Sequence, residues 1–318
     1  MPRTMKYLAL AIVVLAAREV RGDLLEYHLP GSRGGRGILL QGKATINPGG
    51  TTTLNHRFGN LYFRTDDIKR YKVPTLPLQF NTRLGKAKKD ADATFEAGVW
   101  ALKHGMVDEF YQAVDAALQA NPKHEAAKRI KALKAQMAKP LGSFVQQEAE
   151  LRKFLTKKDM KIATSDHFIL MYDTPEKPEK PEKGEKQRKP RHEERLELLE
   201  KVYASFLLTF FSHGVPLEVP QERLKVVLFN QHADYLDFSR RLDPFLVHAA
   251  GYYTHEINVS VFFDHGTSET YKRLQDISGK LQKLANDAIK KKIPGSGEIR
   301  RLANSIKMLI RVEQEGND

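Results

Sequence analysis

The chain has 318 residues, no cysteine and a formal charge of +13. That length suits two domains or three small ones, and a hydrophobic share of 41% supplies real cores. Without thiols there are no disulfides, thiolate metal sites or cysteine nucleophiles. The basic residues are scattered among Glu and Asp and lack the interleaved aromatics of single-strand binders, which sets nucleic acid aside as a partner.

Arg3 and Lys6 precede an apolar run, Tyr7–Ala17. The run is shorter than the ~20 residues of a membrane span and fits the core of a signal peptide. Residues 1–22 are therefore expected to be removed on export, with cleavage after Gly22 or, alternatively, after Ala17. The mature chain is expected in the periplasm or outside the cell, with no membrane partner after cleavage.

Residues 23–80 read as all-β. Ile38–Ile46, Thr51–His56 and Leu61–Arg64 are strand patterns, separated by the turn signals Asn47-Pro48-Gly49-Gly50 and Phe58-Gly59-Asn60. The turn spacing resembles the small SH3-like barrels at the front of many exported bacterial proteins. Gly37–Ala44 nearly spells a phosphate loop, but Ala44 replaces the magnesium-binding Ser or Thr and the middle residues are strand formers.

Residues 86–137 read as helical. Phe95, Val99 and Leu102 mark one apolar face. Val107, Phe110, Val114, Ala117 and Leu118 mark the next, at steps of three and four. With Gly105 at the turn, Asp108-Glu109 opening the second helix, Ala117 packing and Pro122 ending the unit, the pair resembles a tetratricopeptide repeat. Phe110 departs from that family's preference for Ala. The resemblance implies either a helical spacer or a groove for a protein partner.

From about Leu141 the pattern changes again: a helix at Ser143–Thr156, a strand at His167–Tyr172, and a Pro/Glu/Lys stretch at 173–191 with nothing apolar to bury, expected as a disordered loop. Then follow a helix at Arg195–His213, a strand at Leu224–Phe229, a short helix at Ala233–Leu242, a hairpin of Ala250–Tyr253 with Asn258–Asp264, and helices at Ser268–Lys291 and Glu298–Glu313. This order, with the phrases His167-Phe168-Ile169-Leu170, Lys225-Val226-Val227-Leu228-Phe229, Ala250-Gly251-Tyr252-Tyr253 and Val261-Phe262-Phe263-Asp264, resembles the front half of an exported gluzincin-like (peptidase-MA-like) family of unknown function from planctomycete-type bacteria. The resemblance covers residues 141–318. It implies an α+β fold: a small β-barrel-like module, a helical hairpin, then an α/β metallopeptidase-like N-terminal subdomain, incomplete where Glu315-Gly316-Asn317-Asp318 reaches the Asn that precedes the family's H-E-x-x-H.

That motif is missing. His124-Glu125 is followed by Lys128 at the second-histidine position, His192-Glu193 by Leu196, and His255-Glu256 by Val259. Zinc needs two imidazoles at i and i+4 on one helix face. His248, His255, His265 and Asp264 form the nearest alternative cluster, but an extended strand separates His255 from His265. His248 and His255 could meet across the hairpin. Ser296 sits in an inter-helix turn and Asp66-Asp67 in turn chemistry. No catalytic, cofactor or metal residue is assigned. The expectation is an exported protein without peptidase activity. The alternative is a cell-envelope interaction module that holds a partner through the hairpin, the β module or an exposed apolar face of the C-terminal helices.

Overall fold

The computed structural model describes residues 21–27, 38–56, 59–155, 157–177, 189–301, 303, 304, 306 and 310. The apolar leader, most of the Pro/Glu/Lys stretch and residues 311–318 lie outside them. The chain is mixed α+β and divides into two compact units, Met1–Thr82 with Lys272–Asp318, and Arg83–Tyr271.

In the first unit, β1 (Arg21–Tyr27), β2 (Ile38–Asn47), β3 (Thr51–His56), β4 (Gly59–Arg64) and β5 (Ile68–Pro74) form one sheet in the order β4-β3-β2-β1-β5. Every pairing is antiparallel. The barrel expected from the turn spacing is not closed: among the described residues β4 and β5 stand at opposite edges. Strand β2 pairs with β1 as far as Gly42 and with β3 from Lys43 onward. At that change of partner a Cβ on Gly42 would lie 2.3 Å from the Asn55 carbonyl oxygen. The turn expected at Phe58-Gly59-Asn60 is also shifted, because Gly59 and Asn60 already belong to β4.

Leu25, Leu40, Ala44, Leu54, Leu61 and Phe63 make this unit's core. Buried Asp23 pins three strands around it. Its carboxylate accepts the Ala44 N–H and the Arg70 Nε–H, both at 2.7 Å, while Arg70 also donates to the Ala44 carbonyl. Burial pushes the Asp23 carboxyl up, but the hydrogen bonds from Arg70 and Ala44 outweigh it and hold the group below its usual range.

The leading helices are α1 (Leu76–Ala87), in which the boundary between the units falls, α2 (Ala91–Lys103), α3 (Val107–Ala120), α4 (Glu125–Met137) and α5 (Val145–Phe154). Then come β6 (Lys161–Thr164), β7 (Phe168–Tyr172), α6 (Arg191–Ser212), β8 (Leu224–Phe229), α7 (His232–Leu242), β9 (Gly251–Thr254), β10 (Val259–Phe263) and α8 (Glu269–Lys290). The sheet order is β6-β7-β8-β10-β9, with β7, β8 and β10 parallel and both edge strands antiparallel.

Strand alternation distributes the side chains into two cores. Phe168, Leu170, Tyr172, Val226 and Leu228 pack with α6 and with Phe95, Phe110, Val114, Ile130 and Leu133 of α2–α4. Ile169, Met171, Val227, Phe229, Val259, Val261 and Phe263 pack with α5 and α7. Burial on both faces explains why the parallel strands read as unbroken apolar runs.

The helical hairpin is therefore one outer layer of the sheet domain. Gly105, with φ +72°, turns α2 into α3, and the Met106 N–H closes on the Ala101 carbonyl. Gly98 lets the two helices approach, since a Cβ there would sit 2.8 Å from the Ala113 Cβ. His167 ties the layer down. Its Nδ1 lies 2.7 Å from Glu200 and its Nε2 lies 2.8 Å from the Met137 carbonyl. Its ring stacks on Tyr203 at 4.2 Å.

Candidate functional site

Parallel α/β sheets place their chemistry beyond the carboxyl ends of the strands. Here Asp173 follows β7, Asn230 follows β8 and Asp264 follows β10. Lys157, from the α5–β6 connection, donates to Asp173 at 2.5 Å and to Asp234 in the first turn of α7 at 2.6 Å. The second Asp173 oxygen accepts the Asn230 N–H at 2.5 Å. Asp264 accepts the Gly266 N–H and sits 3.3 Å from Arg191. Burial lowers the affinity of the Lys157 amine for its proton, but the two carboxylates outweigh that and raise it well above the usual lysine value. A lysine held cationic in this way is a structural clasp and has no lone pair for attack.

The same carboxyl end corrects the expected limits of the Pro/Glu/Lys loop. Asp173 and Thr174 at its start are buried, and Arg191 at its end is already in α6. His192 stacks on Tyr172 at 4.1 Å, and burial pushes its imidazole down.

A groove of about 400 Å³ opens at another place, where the first turn of α2, the α3–α4 connection and the end of α6 meet. Phe95 and His124 are its buried walls. Asp92, Glu96 and Glu125 supply negative charge, Lys123 and Arg129 positive charge. His124 caps α4: its Nδ1 accepts the Ala127 N–H at 3.1 Å, so the ring proton lies on Nε2 and faces Asp92 at 3.0 Å. The arrangement is a recess backed by the buried Phe95 and His124 rings, with both charge signs at its rim.

The His-Glu pairs are dispersed. His124 is this helix cap, His192 lies against Tyr172 in α6, and His255 lies in the β9–β10 turn. His248 ends a 3₁₀ turn that leads into β9 at Gly251, opposite Phe262. It therefore sits toward the His265 end of the hairpin, and the meeting of His248 with His255 that a hairpin allowed is not what the register produces. Asp66-Asp67 form a 3₁₀ turn and Ser296 begins a helical stretch. Among the described residues no three His, Asp or Glu groups are placed to hold a metal ion, so a catalytic zinc does not fit them. Among those residues, too, no helix is long and apolar enough to cross a membrane.

The chain matches no family model, no curated protein and no solved structure. The Lys157 clasp and the groove were not legible as sequence motifs. Their members are separated by up to 77 and 120 positions, in Lys157–Asp234 and Asp92–Ser212 respectively, and only the fold joins them. The one local signal was His124 two residues after Pro122, at a helix start.

Proposed function

We propose that this chain is an exported polypeptide-binding protein of the cell envelope, built on the front half of a gluzincin-like fold and without peptidase activity of its own. The observation that carries the binding role is the groove between α2, α4 and α6. Its floor is the buried edge of Phe95 with Ala126, and Glu96 and Arg129 sit at solvent on its rim, where a partner reaches them. Small clefts of this kind take affinity from an apolar wall and specificity from a few placed charges.

The wider resemblance is supported by the order of elements. A parallel trio edged by the β9–β10 hairpin agrees with a metallopeptidase-like subdomain. The α2–α3 pair, turning at a positive-φ Gly105 and closing before Pro122, agrees with a tetratricopeptide-like unit.

Peptides selected from a displayed library on the purified chain provide the test. Fluorescence anisotropy should then show Glu96→Lys and Arg129→Glu each weakening them about tenfold, with the circular dichroism melt unchanged. Peptides that bind both variants as well as the parent chain would refute the groove. Metal analysis after dialysis, with a casein assay, should find neither stoichiometric zinc nor cleavage; chelator-sensitive cleavage would refute the non-catalytic reading separately.

A further inference from the structure

Helix α8 leaves Leu274, Ile277 and Leu284 exposed, with Leu281 half-buried between them and Ser278 and Ala285 buried. Leu274, Ile277, Leu281 and Leu284 recur at steps of three, four and three, the a/d spacing of a helix–helix seam. Leu274, Ile277 and Leu284 are 41%, 51% and 63% exposed, while Ser278 and Ala285 on the adjoining face are buried. The side of α8 that meets its own chain thus carries Ser and Ala, and the side that would bind a second helix remains open.

We infer that this seam is a self-association surface, on which α8 of a second copy lies antiparallel. The sequence of the seam is self-complementary in that direction. Leu274 pairs with Leu284 of the second copy and Ile277 with Leu281, and the two-fold axis repeats both layers. The flank agrees: Arg273, one residue before the first layer, meets Asp287 of the second copy, twice over. Lys280 approaches its own symmetry mate near the axis, and Asp276, 2.6 Å from it in the same chain, offsets that repulsion. Parallel pairing would lay Lys290, Lys291 and Lys292 against themselves. Antiparallel pairing separates the two clusters by about the ~33 Å length of a 22-residue helix.

Four layers bury roughly 400 Å² per copy, about half the ~800 Å² per partner of a standard stable interface. The dimer is therefore concentration-dependent, with a dissociation constant on the order of micromolar or weaker.

Sedimentation velocity on the full chain, from about 1 to 200 µM, should show a monomer passing to a dimer. Ile277→Glu, at an exposed position, should hold the chain monomeric with an unchanged dichroism spectrum. Asp287→Arg should weaken the dimer several-fold, and Arg273→Asp combined with Asp287→Arg should restore it. Because the chain has no native cysteine, oxidation of a mixture of Leu274→Cys and Leu284→Cys chains reads direction: the mixed disulfide is expected, with neither homodimer. A monomer at every concentration, as when the seam serves a different partner or another segment of the same chain, would overturn the inference. So would a dimer indifferent to Ile277→Glu. Homodisulfides at either position would overturn the antiparallel direction.

Discussion

Replacing Lys157 with Met removes the cation that, among the described residues, Asp173 and Asp234 share. The Asp173 side chain is only 6% exposed and keeps a single hydrogen bond, from the Asn230 N–H, so its outer oxygen would be left as an uncompensated charge. Breaking a buried pair from one side costs ~3–5 kcal/mol. Here Lys157 is 32% exposed and Asp234 37%, so water recovers part of the loss, and about 2–3 kcal/mol is expected after that discount. For a unit of this size that corresponds to a melting temperature lower by roughly 5–10 °C. Urea unfolding followed by the fluorescence of Trp100, the only tryptophan and a member of the same unit, reads the change. Lys157→Met with Asp173→Asn should recover most of the stability, because removing both charges removes the penalty of either alone. The Lys157 contribution is present at neutral pH and is lost only as pH rises through its raised folded-state value. If the single variant loses less than about 0.5 kcal/mol, or the double variant is as unstable as the single, the clasp is a surface contact of the ordinary weak kind.

Glu200 is pushed up by burial but held lower overall by Ser165 and His167; a depressed carboxyl contributes stability above its unfolded value and loses it as pH falls through the folded one. Glu200→Gln should therefore cost about 1–2 kcal/mol at pH 7 and flatten the acid limb of a stability–pH curve, an outcome absent if His167 is held by Met137 and Tyr203 alone. Gly98→Val should destabilise by about 2–3 kcal/mol through forced separation of α2 from α3, read as a lower urea midpoint; a neutral result would mean the helix pair can slide. If the chain is exported as proposed, mass spectrometry should place the mature N-terminus before Arg21, because Arg21 and Gly22 pair with Pro74 and Val73 in the β1–β5 ladder; a mature chain starting at Asp23 would contradict this.

Local pattern carried much of the fold. The three-and-four spacing of Phe95, Val99 and Leu102 matches α2, and the apolar runs at Leu224–Phe229 and Val259–Phe263 are β8 and β10. Strands without such a run escaped notice. Lys161–Thr164 is four residues long with charged and small members, and Ile68–Pro74 carries four consecutive exposed residues, Lys69, Arg70, Tyr71 and Lys72, in place of an alternating pattern. Both are edge strands, which need only one partner and one modest face. Arg21–Tyr27 was hidden for a different reason: it abuts the apolar leader, and a cleavage pattern competes with a strand pattern over the same residues.

Legibility at the level of the site failed on sequence distance. His124 carries no zinc-helix signature, yet as the α4 cap, its ring tilted against Phe95 at 5.1 Å, it shapes the groove wall. The hairpin pattern allowed a spacer or a partner groove but gave no sign of a layer on a sheet, because Ile130 and Leu133 look the same whether they close a short helical unit or seat it on a sheet. Their burial in one core with Leu170, Leu207 and Val226 decides between the two. That shared core also bears on the proposed groove: its α2 and α4 walls are held by α6, which Glu200 ties to His167 at the start of β7. A partner would then meet walls already in place, and little of its binding energy would go to ordering them.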